Sequence, residues 1–264
     1  MIEEPDFIRT SVMSAVSIKT LKAKTLRVVR RPPYVLLPLI VVCLMNSGSY
    51  GAPAATGYYI EASQVCLAEV LPPPPAAGSA QGKADLQAVL DAEHHWNKRV
   101  IDDALADLDQ SVFRFADVMG PGFNSRDLPF ATIFFQRLAS DADEAQAAAK
   151  VHFNRLRPFA VDREIKTLVP KPSSPSYPSG HATFAYVDAI VLSNMVPEKT
   201  DAIFSRAKDY AYHRVVEGVH YPTDIEAGMI AASVIANVLL HQSGYLTDYA
   251  RARAEVRHAI GLKQ

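Results

Sequence analysis

Cysteine is nearly missing from this chain. Cys43 and Cys66 are the only two in 264 residues, which rules out a disulfide scaffold. Alternating strand-like patterns are almost absent too, which excludes a β-sandwich or barrel and leaves an all-α reading. No apolar run reaches the ~20 residues that a membrane-spanning helix needs. Residues 34–45 are apolar but broken by Pro38, and residues 225–240 contain Glu226, so the second run reads as a buried core helix. Neither sign of charge dominates: 27 Lys and Arg stand against 28 Asp and Glu. Nucleic-acid binding by bulk charge is therefore excluded. There is no internal repeat.

What is present divides the chain in three. Residues 1–54 run from basic (Arg9 to Arg31) through apolar (34–45) to small residues (46–55), the order of a secretory signal peptide, with Ala52-Pro53-Ala54 as an A-x-A cleavage site. This implies a periplasmic or secreted protein, with no membrane attachment after cleavage. The remainder carries 20 basic and 25 acidic residues. Cleavage there would leave Cys66 alone and allow no intrachain disulfide, so the fold must rest on its core, which a chain of this size can build. Residues 55–81, with the run Leu71-Pro72-Pro73-Pro74-Pro75, form an extended Pro-rich arm. Residues 82–264 read as one helical domain. Its helices start near Ala84, at Leu128 after an Asn124–Asp127 cap, near Ser179 or Gly180, at Asp201 and at Pro222.

Three polar clusters interrupt this pattern. Lys150 and Arg157 are seven residues apart, near two helical turns, which leans both cations toward one helix face; Pro158 ends the helix at Arg157. Pro178-Ser179-Gly180-His181 opens the next helix. There the first N–H groups have no internal partner and form an anion site, Ser179 caps or donates, and His181 stands at the rim as a proton donor. Arg214, His220 and Asp224 form the third cluster. Asp224, four residues after His220 and in the first turn after Pro222, accepts from one ring nitrogen and leaves the other as a nucleophile. Adjacent His94 and His95 point in different directions on a helix, so they read as surface or core residues. Tyr177 either contacts a leaving group or packs. Glu217, His220 and Asp224 are metal-ligand types, but the additional carboxylates and histidines of a two-metal site are lacking.

The ordered pattern K-x6-R-P, P-S-G-H, R-x5-H-x3-D resembles the phosphatidic-acid phosphatase type 2 superfamily, which also includes vanadium haloperoxidases. The proline run and Ser176-Tyr177-Pro178-Ser179-Gly180-His181 are similar to the secreted bacterial class A non-specific acid phosphatases. This resemblance implies a single helical domain and an acid phosphatase acting on small organic phosphomonoesters. In that reading His220 attacks phosphorus, Asp224 orients it and His181 protonates the leaving alcohol. Lys150, Arg157, Arg214, Ser179 and the Gly180 backbone bind phosphate oxygens. It further implies no metal or cofactor, inhibition by inorganic phosphate or vanadate, transfer to alcohols beside hydrolysis, and a homo-oligomer. One departure stands out: the family has Ser before the motif arginine, and this chain has His213. Three rivals use the same residues: a vanadium-dependent haloperoxidase, a lipid phosphatase and a non-catalytic oxyanion-binding protein.

Overall fold

The computed structural model describes residues 57–263; the expected leader and its cleavage site lie outside them. The regular elements are α1 (Leu67–Val70), α2 (Ala80–His94), α3 (Lys98–Ala106), α4 (Ala116–Met119), α5 (Pro129–Phe153), α6 (Pro158–Val161), α7 (Gly180–Met195), α8 (Thr200–Val216), α9 (Pro222–Leu239) and α10 (Ser243–Ala259), with three short 3-10 turns. No strand occurs among the described residues. Helix α7 is the axis. Its residues are buried on every side, it packs on α8 and α9, and α5 and α10 complete the bundle. Gly228 of α9 lets two of these helices meet: a Cβ there would lie 2.8 Å from the Ala182 Cβ and 2.9 Å from the Ser179 carbonyl oxygen. That carbonyl belongs to the cap of α7, so the close approach fixes where the N-terminal end of α7 sits.

The expected long helix ends early. Asn154 takes a left-handed conformation (φ 43°), so α5 stops at Phe153 and Arg157 is extended (φ −74°, ψ 156°) at the start of α6. Lys150 and Arg157 therefore do not share a helix face; a turn brings them together. The cap of α5 also differs from expectation. Asn124 bonds the backbone of its own turn, while Glu255 of α10 accepts from Phe130 N (3.2 Å) and Ala131 N (2.6 Å). The helical pattern from Ala84 is two helices, because Asn97 caps α3 through Val100 N at 3.1 Å. Helix α10 carries no motif and was not anticipated.

The described part of the arm is anchored. Asp141, fully buried in α5, accepts from the backbone N–H groups of Tyr58 and Tyr59, and Ile60, Val65, Leu67 and Leu71 enter the core. Tyr177 packs: it is 1% exposed and donates to the Pro72 carbonyl at 2.5 Å. His94 and His95 are both exposed. Cys43, the other cysteine, lies outside the described residues. Among the described residues no single helix is long and apolar enough to cross a membrane; α9 and α10 pass that test only as a pair bent by 101°.

Candidate active site

Two loops and two helix starts bring the candidate residues together. Pro222 suits the first turn of α9, and Asp224 in that turn accepts from Tyr221 N at 2.9 Å, the capping interaction its position suggests. The same oxygen, Oδ2, lies 3.2 Å from His220 Nδ1 and accepts from Ser176 Oγ at 2.5 Å. Capping and histidine orientation are thus one geometry. On the far side of the ring, His220 Nε2 is 3.1 Å from Arg157 Nη1. A donor there requires a lone pair on Nε2, with the proton on Nδ1 toward Asp224.

The cations are placed by carbonyl groups. Arg157 donates from Nε to the Ser174 carbonyl and from Nη1 to the Val219 carbonyl, both at 2.8 Å. Lys150 Nζ donates to the carbonyls of Pro178 (2.5 Å) and Pro175 (3.3 Å). The Pro/Ser loop thus supplies acceptors for both. Arg214, in the last turn of α8, pairs with Glu217, and its Nε has no hydrogen-bond partner among the described residues. Its backbone carbonyl accepts from His220 N at 3.2 Å, which ties the two residues together. Ser179 is fully buried and caps α7 through Ala182 N (3.4 Å), while its own N–H donates to the Asp224 carbonyl. At Gly180 a Cβ would stand 2.9 Å from Gln146 Nε2. His181 Nε2 faces the Leu108 carbonyl at 3.3 Å, and its ring stacks on Tyr210.

Electrostatics follow from burying like charges together. Burial, then Arg157, lowers Lys150 to about 8; burial, then Arg214, lowers Arg157 to about 10. Burial and then Arg214 bring His181 down to about 3. Burial pushes His220 well below the ordinary histidine range despite Asp224. Burial would raise Asp224, but the hydrogen bond from His220, then the charge of Arg155 and the hydrogen bond from Ser176, hold it below the ordinary value. The pocket is a cluster of positive charge around a neutral imidazole, suited to an oxyanion.

Seven of the eight residues singled out in the sequence are linked here by hydrogen bonds or by chain adjacency: Lys150, Arg157, Ser179, Gly180, Arg214, His220 and Asp224; His181 bonds instead to the Leu108 carbonyl and is coupled to them through the charges of Arg214, Lys150 and Arg157. Three further residues were not anticipated. Arg155 donates to Asp224 Oδ1 at 2.6 Å and to Asp85 Oδ2 at 2.7 Å, and lies over the Tyr221 ring. Asp85 is 1% exposed and also accepts from Thr223 Oγ1. Ser176 bridges to Asp224. Ser176 was visible as part of the Pro/Ser loop. Arg155 and Asp85 carried no signal, because their partners are 69 to 70 residues away.

The PAP2 superfamily model matches residues 130–248, which contain the whole cluster from Lys150 to Asp224. The chain is 30% identical over 186 residues to a non-specific acid phosphatase of Providencia stuartii, covering 67% of this chain and 75% of that one. It is 29% identical over 199 residues to an acid phosphatase of Zymomonas mobilis, covering 72% and 75%. The fold is similar to a bacterial vanadium-dependent iodoperoxidase crystal structure, with a TM-score of 0.50 and 20% identity over 69% of this chain and 53% of that one. The chain belongs to the PAP2 superfamily.

Proposed function

We propose that this phosphatase is a metal-independent acid phosphatase for small phosphomonoesters that works through a phosphohistidine on His220. The observation that carries the reading is the His220 ring, held between Asp224 at Nδ1 and Arg157 at Nε2. The Nε2 lone pair attacks phosphorus as the bond to the leaving oxygen breaks, and His181 gives that oxygen its proton. Water then attacks the phosphohistidine, His181 takes the water's proton, and the P–N bond breaks to release phosphate. An alcohol in place of water gives phosphotransfer. Lys150, Arg157, Arg214, Ser179 and the Gly180 N–H bind the equatorial oxygens, where charge builds up.

His181 acts as an acid only once a phosphate dianion offsets the surrounding cations, since in the protein alone it stays neutral down to about pH 3. Substrate charge and acid pH thus cooperate in protonating it. With the contacts directed at the phosphate, the leaving group is weakly constrained, which favours broad specificity. Residues 1–54 support export, and their processing is read from the N-terminal sequence of the mature protein.

The test is hydrolysis of p-nitrophenyl phosphate by His220→Ala. The expected outcome is a loss of about 10³-fold or more in kcat, together with loss of the acid-labile label that wild type acquires from radioactive substrate on rapid quenching. Turnover near the wild-type rate would remove His220 from the mechanism. Turnover should also resist chelator and be inhibited by vanadate. Bromide or iodide oxidation by the vanadate-loaded protein, without phosphatase activity, would favour the haloperoxidase rival.

A further inference from the structure

The three pocket cations do not have equivalent surroundings. Lys150 and Arg157 are held by neutral carbonyl oxygens. Arg214 is held by a carboxylate: its Nη1 is in ion-pair contact with Glu217 Oε2, three residues on, and the side chains are 4% and 0% exposed. Beyond Arg214, neither Glu217 oxygen has a hydrogen-bond partner among the described residues. Its backbone is fixed without the side chain: Glu217 N donates to the His213 carbonyl at 2.8 Å, its carbonyl accepts from Leu168 N, and Gly218 makes the turn at φ 72°. The chain reversal therefore does not need a carboxylate here. A buried carboxylate with a single charged partner is costly unless its charge has a use.

We propose that Glu217 is a positioning residue for the phosphate site: it aims the Arg214 guanidinium and serves as its resident counter-anion, so that an incoming oxyanion competes with Glu217 and binds with proton uptake there. This rests on reading the pocket as an oxyanion site. The charged and titratable groups acting on Glu217 are Arg214 and His213 of α8 and Asp107 beyond α3. Burial raises its pKa, Arg214 and His213 oppose that, Asp107 adds to it, and the result is about 7. Below that pH Glu217 is neutral and Arg214 offers its full charge to the anion. Above it, the carboxylate shares that charge, so anion affinity falls as pH rises. Linkage is reciprocal: whatever protonation adds to anion binding, the anion adds to protonation.

Sulfate is the probe, because it remains a dianion throughout the range. Competitive inhibition by sulfate is measured for wild type, Glu217→Gln and Glu217→Ala at pH 5.5 and pH 8. Glu217→Gln keeps the shape and lacks the charge. It should equal wild type at pH 5.5 and bind sulfate about tenfold more tightly at pH 8, within the ordinary range of coupling between sites. Comparing the variants at one pH cancels the contributions of Lys150 and His181. Glu217→Ala loses the positioning and should bind more weakly than wild type at pH 5.5. A Gln variant that matches wild type at pH 8, or one as weak as Ala at both pH values, overturns the proposal.

If the variants fold poorly, the wild-type protein decides. Calorimetry of sulfate binding at pH 7 in two buffers of different ionisation enthalpy should show uptake of about half a proton per sulfate, and no uptake overturns the proposal. Repeating the measurement from pH 6 to pH 8 separates the groups: uptake at Glu217 sets in near pH 7, uptake at Lys150 only toward pH 8, and uptake at His181 grows as pH falls. Absence of sulfate binding by wild type would instead refute the oxyanion site itself, and the His220→Ala assay tests the phosphatase reading independently.

Discussion

His213 and Arg214 are neighbours at the end of α8, yet they enter two buried polar clusters that differ in completeness. His213 enters the one around Asp107. Asp107 is fully buried and accepts from Arg206 Nη1 (2.9 Å) and Nη2 (2.5 Å), Arg114 Nε (2.8 Å) and His213 Nδ1 (2.7 Å). Both of its oxygens are fully used, and Arg206 Nε goes to the Arg114 carbonyl. Arg214 enters the cluster proposed to bind phosphate, where its own Nε has no hydrogen-bond partner among the described residues and the Glu217 carboxylate has none beyond Arg214. Both clusters are rich in arginine and buried carboxylate. What separates a structural network from a binding site is the donors and lone pairs left unmatched. His213, standing where the family has Ser, closes the structural network and has no bond to the phosphate pocket.

The largest effect is expected where this contrast is sharpest. Asp224 resembles Asp107 in being fully buried and multiply bonded, but one of its partners is His220, the proposed nucleophile. Asp224→Asn should leave the fold in place and lower kcat by about 10³- to 10⁴-fold with little change in KM, because the amide no longer holds the Nδ1 proton and the reactive lone pair turns away. Steady-state kinetics on protein of native circular dichroism checks this. Loss of folding in parallel with loss of activity would place Asp224 with Asp107 as a structural residue.

The same contrast explains what could be read in advance. Lys150, Ser179, His181, Arg214, His220 and Asp224 were legible because short spacings tie them to helix starts and ends, where geometry is local. Ser179 as the cap of α7 and Asp224 in the first turn of α9 follow from Pro, Ser and Gly positions alone. Arg157 was legible as a site residue but not in its setting: periodicity suggested a shared helix face, and the left-handed turn at Asn154 overrode it. Arg155, Asp85, Asp107 and Arg206 were not legible. Their pairings with one another and with Asp224 span 69 to 99 residues, and no local rule ties a charge to a partner that far along the chain. Helix α10 was missed because its sequence is polar and its place in the core rests on a few residues, Tyr245, Ala252 and Val256.

The structural cluster should respond in the opposite sense to the catalytic one. Arg206→Ala removes the bidentate partner of a fully buried carboxylate and should destabilise the protein by about 3–5 kcal/mol. The kcat of the remaining folded molecules should stay within a few-fold of wild type. Urea unfolding gives the first quantity and active-site titration the second. A large drop in kcat at unchanged stability would mean that the two clusters are one functional unit, joined through His213 and Arg214.

The smallest effect contrasts two buried aspartates outside the phosphate cluster. Asp188, in the middle of α7, is as buried as Asp107, but neither of its oxygens has a hydrogen-bond partner among the described residues. Burial would raise Asp107, yet the hydrogen bonds from His213, Arg206 and Arg114 outweigh it and bring the pKa down to about 2. At Asp188 burial acts unopposed and raises the pKa well above the ordinary value. The stability consequences have opposite signs. Asp107 binds its proton less readily in the folded state, so its contribution is present above pH 4 and is lost as pH falls toward 2. Asp188 binds its proton more readily in the folded state, so its contribution is complete below pH 4 and is lost as pH rises toward its raised pKa. Asp188→Asn, neutral at every pH, should match wild type at pH 4 and exceed it at pH 8 by at least about 1 kcal/mol, the equivalent of less than one pKa unit. Urea midpoints at the two pH values measure this. A variant no more stable than wild type at pH 8 would show that the Asp188 carboxylate finds compensation in the folded protein, and the contrast with Asp107 would fail.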